Sequence, residues 1–494
     1  MHPISLLYTA LLLLVTTTTA ATFPAINLDT ATHRPTSTNT TVSGLTITLY
    51  NNIRFAQPPT GPRRFRKPQT PPPHQSGIQD GRHRLFSSDC VSTAPASVPF
   101  PELNGTTWGQ EDCLFLNVWV PEGVRPGDGV PVVHWLYGSA MGLYGWASST
   151  HEDMDANVGL HDGLAALRWT RKYISRFGGN PDDITAMGES AGAAMITLML
   201  VAEEGKIFLP FQKAFISSPA MLPRRNVTTR RENVYKQVLK SANCTSLDCL
   251  RHTSPRTLAA ANKHLLSDMP SGSGGGTFGP GIGLGPFPDG EYITDASMVL
   301  FRHGKFNPQV RAVIVGNTAD EGLATTPDIR SPAEFAKLVR MALPGANDSS
   351  VQTIREMYPY PDSWIDRVAQ DWTTDSTHAC NARAIARAYA EKAQRYVFSV
   401  PPATHFLDIN YFFFKDNTST PVVNVSLAHQ FQSELLSFLH QPAGKGSAKW
   451  PLYGDTAKTA NVTANGLPTT KDPWATRPKC EKILRIIEDT ATGA

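Results

Sequence analysis

The run Gly188-Glu189-Ser190-Ala191-Gly192 places a serine between two glycines, each two positions away. Before it stands "ITAM", a short apolar run of strand type, and after it "AAMITLML", whose alanine, leucine and methionine content favours a helix. A serine at the tip of a strand-to-helix turn sits in strained backbone geometry, and small neighbours let the two elements pass closely. The helix would aim backbone N–H groups and a positive dipole end at the reacting centre, with the N–H of Ala191 placed to stabilise an oxyanion. The pattern alone is weak, because a tight structural turn uses the same residues. The strand before it and the helix after it give it chemical meaning.

A serine hydroxyl becomes a nucleophile when a base takes its proton and an acid orients the base. "RAVIVGNTADEG" reads as a strand, Ala312 to Val315, running into a loop that carries Asp320 and Glu321. A carboxylate just beyond the carboxyl end of a strand is where an orienting acid is expected. "RYVFSVPPATHFLD" offers another strand, Tyr396 to Val400, and then a loop with His405. Singly, an acidic loop residue is usually solvated, and one loop histidine among 14 is usually incidental. In the chain order serine, acid, histidine, and in matching contexts, they reinforce one another.

These residues need a scaffold, and 494 residues can bury a large core. The helix expected around Leu164, Ala166, Leu167 and Ile174 ends at Phe177-Gly178-Gly179-Asn180-Pro181, so the order is helix, loop, strand, turn, helix. Hydrophobic content of 41% with 18% charge is ordinary for a globular chain, and 39 prolines imply many irregular connections. The net charge is only +3 and there is no basic run, so nucleic acid is not an expected partner.

The first residues, "MHPISLLYTALLLLVTTTTAATF", carry an apolar stretch from Ile4 to Val15 that is too short to span a bilayer and has the shape of a secretory signal. Residues 1–20 are therefore expected to be a signal peptide, with 21–494 one domain. No integral membrane segment is expected elsewhere. Eight sequons, at Asn39, Asn104, Asn226, Asn243, Asn347, Asn417, Asn424 and Asn461, point independently to an extracellular glycoprotein. Six cysteines suit an oxidising compartment. They allow 15 pairings, which spacing alone does not choose among. Cys244 and Cys249 are close enough for a local loop, and Cys90 with Cys113 and Cys380 with Cys480 are the simplest remainder.

The chain resembles the type-B carboxylesterase/lipase family, the group that also holds the cholinesterases, and most of all its secreted fungal members. "IRFAQPPTGPRRFRKPQ" at 53–69 and "EDCLFLNVWVP" at 111–121 are similar to the family's N-terminal signatures. "GLHDGLAALRWTRKYISRFGGNPDDITAMGESAG" matches its nucleophile region, "GNTADEG" its acid region and "ATHFLDINYFFF" its histidine region. The resemblance runs from about residue 25 to 485. It implies an α/β-hydrolase fold, with a mostly parallel central sheet flanked by helices, and ester hydrolysis through an acyl-enzyme. It assigns Ser190 as nucleophile, Glu321 rather than Asp320 as acid, and His405 as general base. It also supports the Cys90–Cys113 pairing, and it calls for no metal or organic cofactor, only a small-molecule or lipid ester. The run "SGSGGGTFGPGIGLGPFP" at 271–288 lacks the ending of a phosphate loop and is expected to be a flexible segment near the active-site gorge.

Two departures stand out. The family's oxyanion loop is a run of glycines, whereas the turn here reads Tyr137-Gly138-Ser139-Ala140, which makes Ser139 and Ala140 the counterparts of the two N–H donors. His405 is followed by Phe406, where the family usually has glycine. The larger departure is that "MGLYGWASS" follows Ala140 directly, although it resembles a segment that in the family lies beyond a further central strand. A strand with its crossover takes on the order of 30 residues. The sheet is thus expected to lack one central strand after residue 140. Either the coding sequence is missing a segment, which the complete set of triad residues favours, or the deletion is real and the chain is an impaired, non-catalytic or degenerate member. Both readings expect a chain that folds poorly or turns over slowly as written, because unpaired strand edges in a sheet interior cost about 1–3 kcal/mol per unmade hydrogen bond.

Overall fold

The apolar runs that read as strands become the middle of one sheet in the computed structural model, which describes residues 25–489 apart from 42, 73–75, 83–88, 94–105, 137–141, 226, 269–283 and 441–449. The expected signal peptide, Asn104, Asn226, the turn with Ser139 and Ala140, and most of the glycine-rich run lie outside the described residues.

Strands β1 (Ser37–Thr40), β2 (Thr46–Arg54) and β3 (Phe115–Pro121) form an antiparallel sheet. A second sheet of seven strands holds β4 (Val130–Leu136), β5 (Gly179–Glu189), β6 (Lys213–Ser217), β7 (Ala312–Thr318), β8 (Ala393–Phe398), β9 (Lys458–Val462) and β10 (Thr469–Lys471). Each pairs with the next in chain order, all parallel except β10. The fold is that of the α/β-hydrolases.

Parallel strands buried on both faces read as continuous apolar runs, and the period of two sends alternate residues to opposite cores. Ala214, Ile216, Val313 and Val315 join the core under α1 (Val158–Tyr173), α2 (Ala191–Val201) and α3 (Cys380–Tyr389). Their neighbours Phe215 and Ile314, with Tyr396 and Phe398, pack on the other side against Leu427, Phe431 and Leu435 of α4 (Val425–His440). Helix α1 ends at Tyr173, a short 3₁₀ turn follows, and Gly178 leaves it at φ 93°. Strand β5 then starts at Gly179, earlier than its apolar run suggests, because Gly179 already pairs with Val130 across a bulge.

Disulfides join Cys90 to Cys113, Cys244 to Cys249 and Cys380 to Cys480. The last fastens α5 (Lys479–Glu488) to the start of α3. Among the described residues no helix is long and apolar enough to cross a membrane.

The sheet is divided where the sequence is short. Strands β3 and β4 follow each other in the chain but do not pair: among the described residues β3 has only β2 as a partner and β4 only β5. Unpaired backbone groups therefore line two open edges rather than a gap inside one sheet. Trp119 on β3 is 66% exposed and Val133 on β4 is 44% exposed. The smaller sheet keeps its place by packing Tyr50, Ile53, Val118 and Val120 against Trp169 and Tyr173 of α1. Long open edges of this kind template association with other chains. Sequencing the full-length transcript across the codons of Ala140 and Met141 is expected to show an in-frame segment encoding an apolar, β-branched strand. A transcript that matches the present junction means the deletion is real.

Candidate active site

Ser190 sits between β5 and α2 with φ 52° and ψ −114°, a conformation that residues with a Cβ rarely adopt. The flanking glycines make the turn possible. A Cβ on Gly188 would lie 2.6 Å from the backbone carbon of Gly192, and a Cβ on Gly192 would collide with the carbonyl oxygen of Leu136 at the end of β4. The Ser190 N–H donates to the Ser217 carbonyl at 3.0 Å, and the Ala220 N–H donates to the Ser190 carbonyl at 3.3 Å. Ala191, the first residue of α2, is exposed while the rest of that helix is buried. Its N–H is therefore one of the helix-terminal donors that have no carbonyl of their own turn to meet.

Three loops converge on the hydroxyl. His405 Nε2 lies 3.0 Å from Ser190 Oγ, and His405 Nδ1 lies 2.5 Å from Glu321 Oε2. All three side chains are buried. In the neutral imidazole, with Nδ1–H donated to Glu321, Nε2 carries the lone pair that faces the serine. Glu321 opens a short helix directly after β7, and its other oxygen accepts from Ser218 Oγ at 2.6 Å and from the Thr318 N–H at 2.7 Å. Asp320 faces elsewhere. Its carboxylate pairs with Arg367 at 2.7 Å, while its N–H donates to the Ala403 carbonyl at 3.0 Å and ties the acid loop to the histidine loop.

The surroundings add groups that the sequence reading passed over. Glu189 Oε1 is 3.2 Å from His405 Nε2. Asp408, three residues past the histidine, accepts from Ser217 Oγ and from Tyr396 Oη, each at 2.7 Å. His378 is buried with its ring 4.8 Å from that of His405, and its Nδ1 is 3.2 Å from the Ser218 carbonyl. Glu189 and Asp408 lie within the quoted nucleophile and histidine stretches, but neither the spacing nor the order of those stretches marks them out, and His378 lies outside both. They come from different strands and helices, and only the topology brings them together. Phe406 takes φ 78°, the left-handed region that favours glycine.

Donor supply separates the carboxyls. Burial alone would raise Glu321, but the charges of His378 and His405, with the hydrogen bonds from His405 and Ser218, bring it down to about 2. Glu189 has no such donors among the described residues, and burial pushes it well above the usual carboxylate range. Burial likewise raises Asp408 to about 6 against its two hydroxyl donors. Burial alone would lower His405, yet Glu189 and Glu321 outweigh it and raise the imidazole to about 9. Ligand atoms of Glu321, His378 and His405 lie within 4.8 Å of one another and could meet a cation. Both His405 nitrogens, however, are committed to Glu321 and Ser190. The set is arranged to move a proton.

A family model described as "Carboxylesterase family" matches residues 24–141 and 140–470, two segments that meet at the Ala140–Met141 junction. The chain is 28% identical to carboxylesterase patB of Penicillium expansum, covering 93% of this chain and 95% of that protein. That alignment runs over 548 residues, longer than the 494-residue chain, so the relative carries segments absent here. A secreted lipase of Arthroderma benhamiae is 23% identical, covering 82% of this chain and 90% of that protein. Among solved structures, EstA of Aspergillus niger superimposes with a TM-score of 0.79 at 20% identity, over 95% of this chain and 99% of that one.

The electrostatics can be read without any reaction. The His405 imidazole should titrate above its ordinary 6.5, and Glu189→Gln, which removes a neighbouring acid, should lower that midpoint. Side-chain ¹⁵N NMR measures both, and an unchanged midpoint in Glu189→Gln means that Glu189 does not act on the base.

Proposed function

The chain belongs to the carboxylesterase family, and from that premise we propose that it hydrolyses carboxylic esters with Ser190 as nucleophile, His405 as general base and Glu321 as the orienting acid. The observation that carries the reading is the continuous hydrogen-bonded chain from Ser190 Oγ through His405 to Glu321, built on a strained turn.

His405 Nε2 takes the hydroxyl proton as Ser190 Oγ attacks the ester carbonyl carbon, and the Glu321 carboxylate stabilises the imidazolium that forms. The negative oxygen of the tetrahedral intermediate accepts from the Ala191 N–H, with Ser139 and Ala140 as the further donors. His405 then protonates the leaving alcohol, which departs and leaves an acyl group on Ser190. Water repeats the sequence: His405 takes its proton, the acid leaves, and the serine is restored. These steps use side chains and water alone.

A second reading has its own support in the divided sheet and the two-segment family match. On that reading an oxyanion donor is lost, and losing one donor slows turnover by about 10²- to 10³-fold. Ester binding would then outlast efficient hydrolysis.

Export fits the three disulfides and the apolar N-terminal stretch, with residues 21–494 acting as one unit on small-molecule or lipid esters. Among the sequons, Asn39, Asn243, Asn347 and Asn417 are exposed and suit glycan attachment. Asn424 Nδ2 instead donates to the Ala464 carbonyl, and Asn461 lies within β9.

Purified protein is expected to hydrolyse 4-nitrophenyl acetate, and Ser190→Ala should lower kcat/KM by at least about 10³-fold. Equal activity in the alanine variant removes Ser190 from the mechanism.

A further inference from the structure

A cavity opens beside the nucleophile turn. Leu198, Leu284, Ile293, Leu338 and Trp372 give it apolar walls, and Ala220 and Met221 line it as well. Ala220 is the residue whose N–H bonds to the Ser190 carbonyl, so the cavity reaches a direct neighbour of the nucleophile turn. The catalytic side chains themselves do not line it.

One wall carries a charge that no described carboxylate compensates. Arg224 is only 8% exposed, yet its guanidinium makes a single hydrogen bond among the described residues, from Nε to the Met341 carbonyl at 3.3 Å. No described carboxylate pairs with it. Asp295, in the same wall, is held by Arg225 through two bonds of 2.7 and 2.8 Å. Arg224 also borders a neighbouring recess shared with Arg230 and Arg231. Burial brings Arg224 down to about 9, and the charged neighbour acting on it is another cation, Arg230. The stretch 269–283, just before the lining residue Leu284, contains no acidic residue. A buried guanidinium without an anion is costly, and its planar fork matches a carboxylate.

We propose that this cavity binds the carboxylate of the substrate, so that the preferred esters carry a carboxylate at the far end of an apolar chain and Arg224 pairs with it. The inference rests on the esterase reading above. Ala220 and Arg224 are four residues apart. At most about 14 Å of backbone thus separates the anion's partner from the nucleophile turn, the reach of a medium-length dicarboxylic chain. The apolar walls hold the methylenes, and Arg224 holds the distal charge.

Binding in the full-length Ser190→Ala protein reads the cavity apart from catalysis. By titration calorimetry, suberate dianion should bind Ser190→Ala at least about tenfold more tightly than dimethyl suberate does. Adding Arg224→Gln should weaken suberate about 10- to 100-fold, and Arg224→Lys should fall between the two. Equal binding of suberate and its dimethyl ester overturns the inference, as does no binding of suberate or undiminished binding in Arg224→Gln. The comparison of the two ligands in Ser190→Ala needs no change at Arg224 and decides the matter even if the glutamine variant fails to fold. Hydrolysis of 4-nitrophenyl acetate by the native chain without suberate binding overturns this inference alone. Suberate binding by a native chain that hydrolyses no ester overturns the esterase reading, and with it the assignment of the anion as substrate.

Discussion

The contact between Gly192 and the Leu136 carbonyl is the constraint on which the rest of the site depends. Helix α2 can cross the end of β4 only because position 192 has no side chain, and a Cβ there would collide with that oxygen. The crossing sets the first turn of α2, and so the Ala191 N–H, beside the end of β4. It also forces the reversal at Ser190 into positive φ, which lifts the hydroxyl off the strand end and toward His405. Backbone strain of this size costs roughly 1–3 kcal/mol and persists only where the surroundings over-determine it. Here the Ser217 carbonyl and the Ala220 N–H clamp Ser190 from both sides.

Around that turn the fold separates two glutamates by hydrogen-bond supply. Glu321 meets His405, Ser218 and the Thr318 N–H, which keeps it ionised inside the protein. Glu189, equally buried but without such donors, is driven toward its neutral form. One buried carboxylate thus stays charged against His405 Nδ1, while the second acid, on the serine's side of the ring, is held toward its neutral form. The supply comes from strand ends: Ser218 follows β6 and Thr318 closes β7, so the parallel sheet that buries the site also feeds it donors.

Much of this was legible in the chain. The strand–turn–helix context of Ser190 is local, and its glycines state their purpose through spacing. The order of Ser190, Glu321 and His405 along the chain could be read because each follows an apolar run that becomes a strand. Ser218, Asp408 and Arg224 could not, since their partners arrive from far along the chain. The start of β5 was set by a pairing partner, Val130, rather than by the residues that begin it. The short connection at Ala140 was visible as a break in a familiar order. Its physical outcome, two separate sheets rather than one strained sheet, depended on how the first three strands pack against α1.

The most direct test of the central claim is covalent trapping. Diethyl 4-nitrophenyl phosphate reacts with a serine whose hydroxyl is activated by a histidine and whose developing oxyanion is held, and peptide mass spectrometry locates the adduct. The account predicts one diethylphosphoryl group, on the peptide containing Ser190, with its formation suppressed in His405→Ala. An adduct on another residue, or none at Ser190 in folded protein, would contradict it.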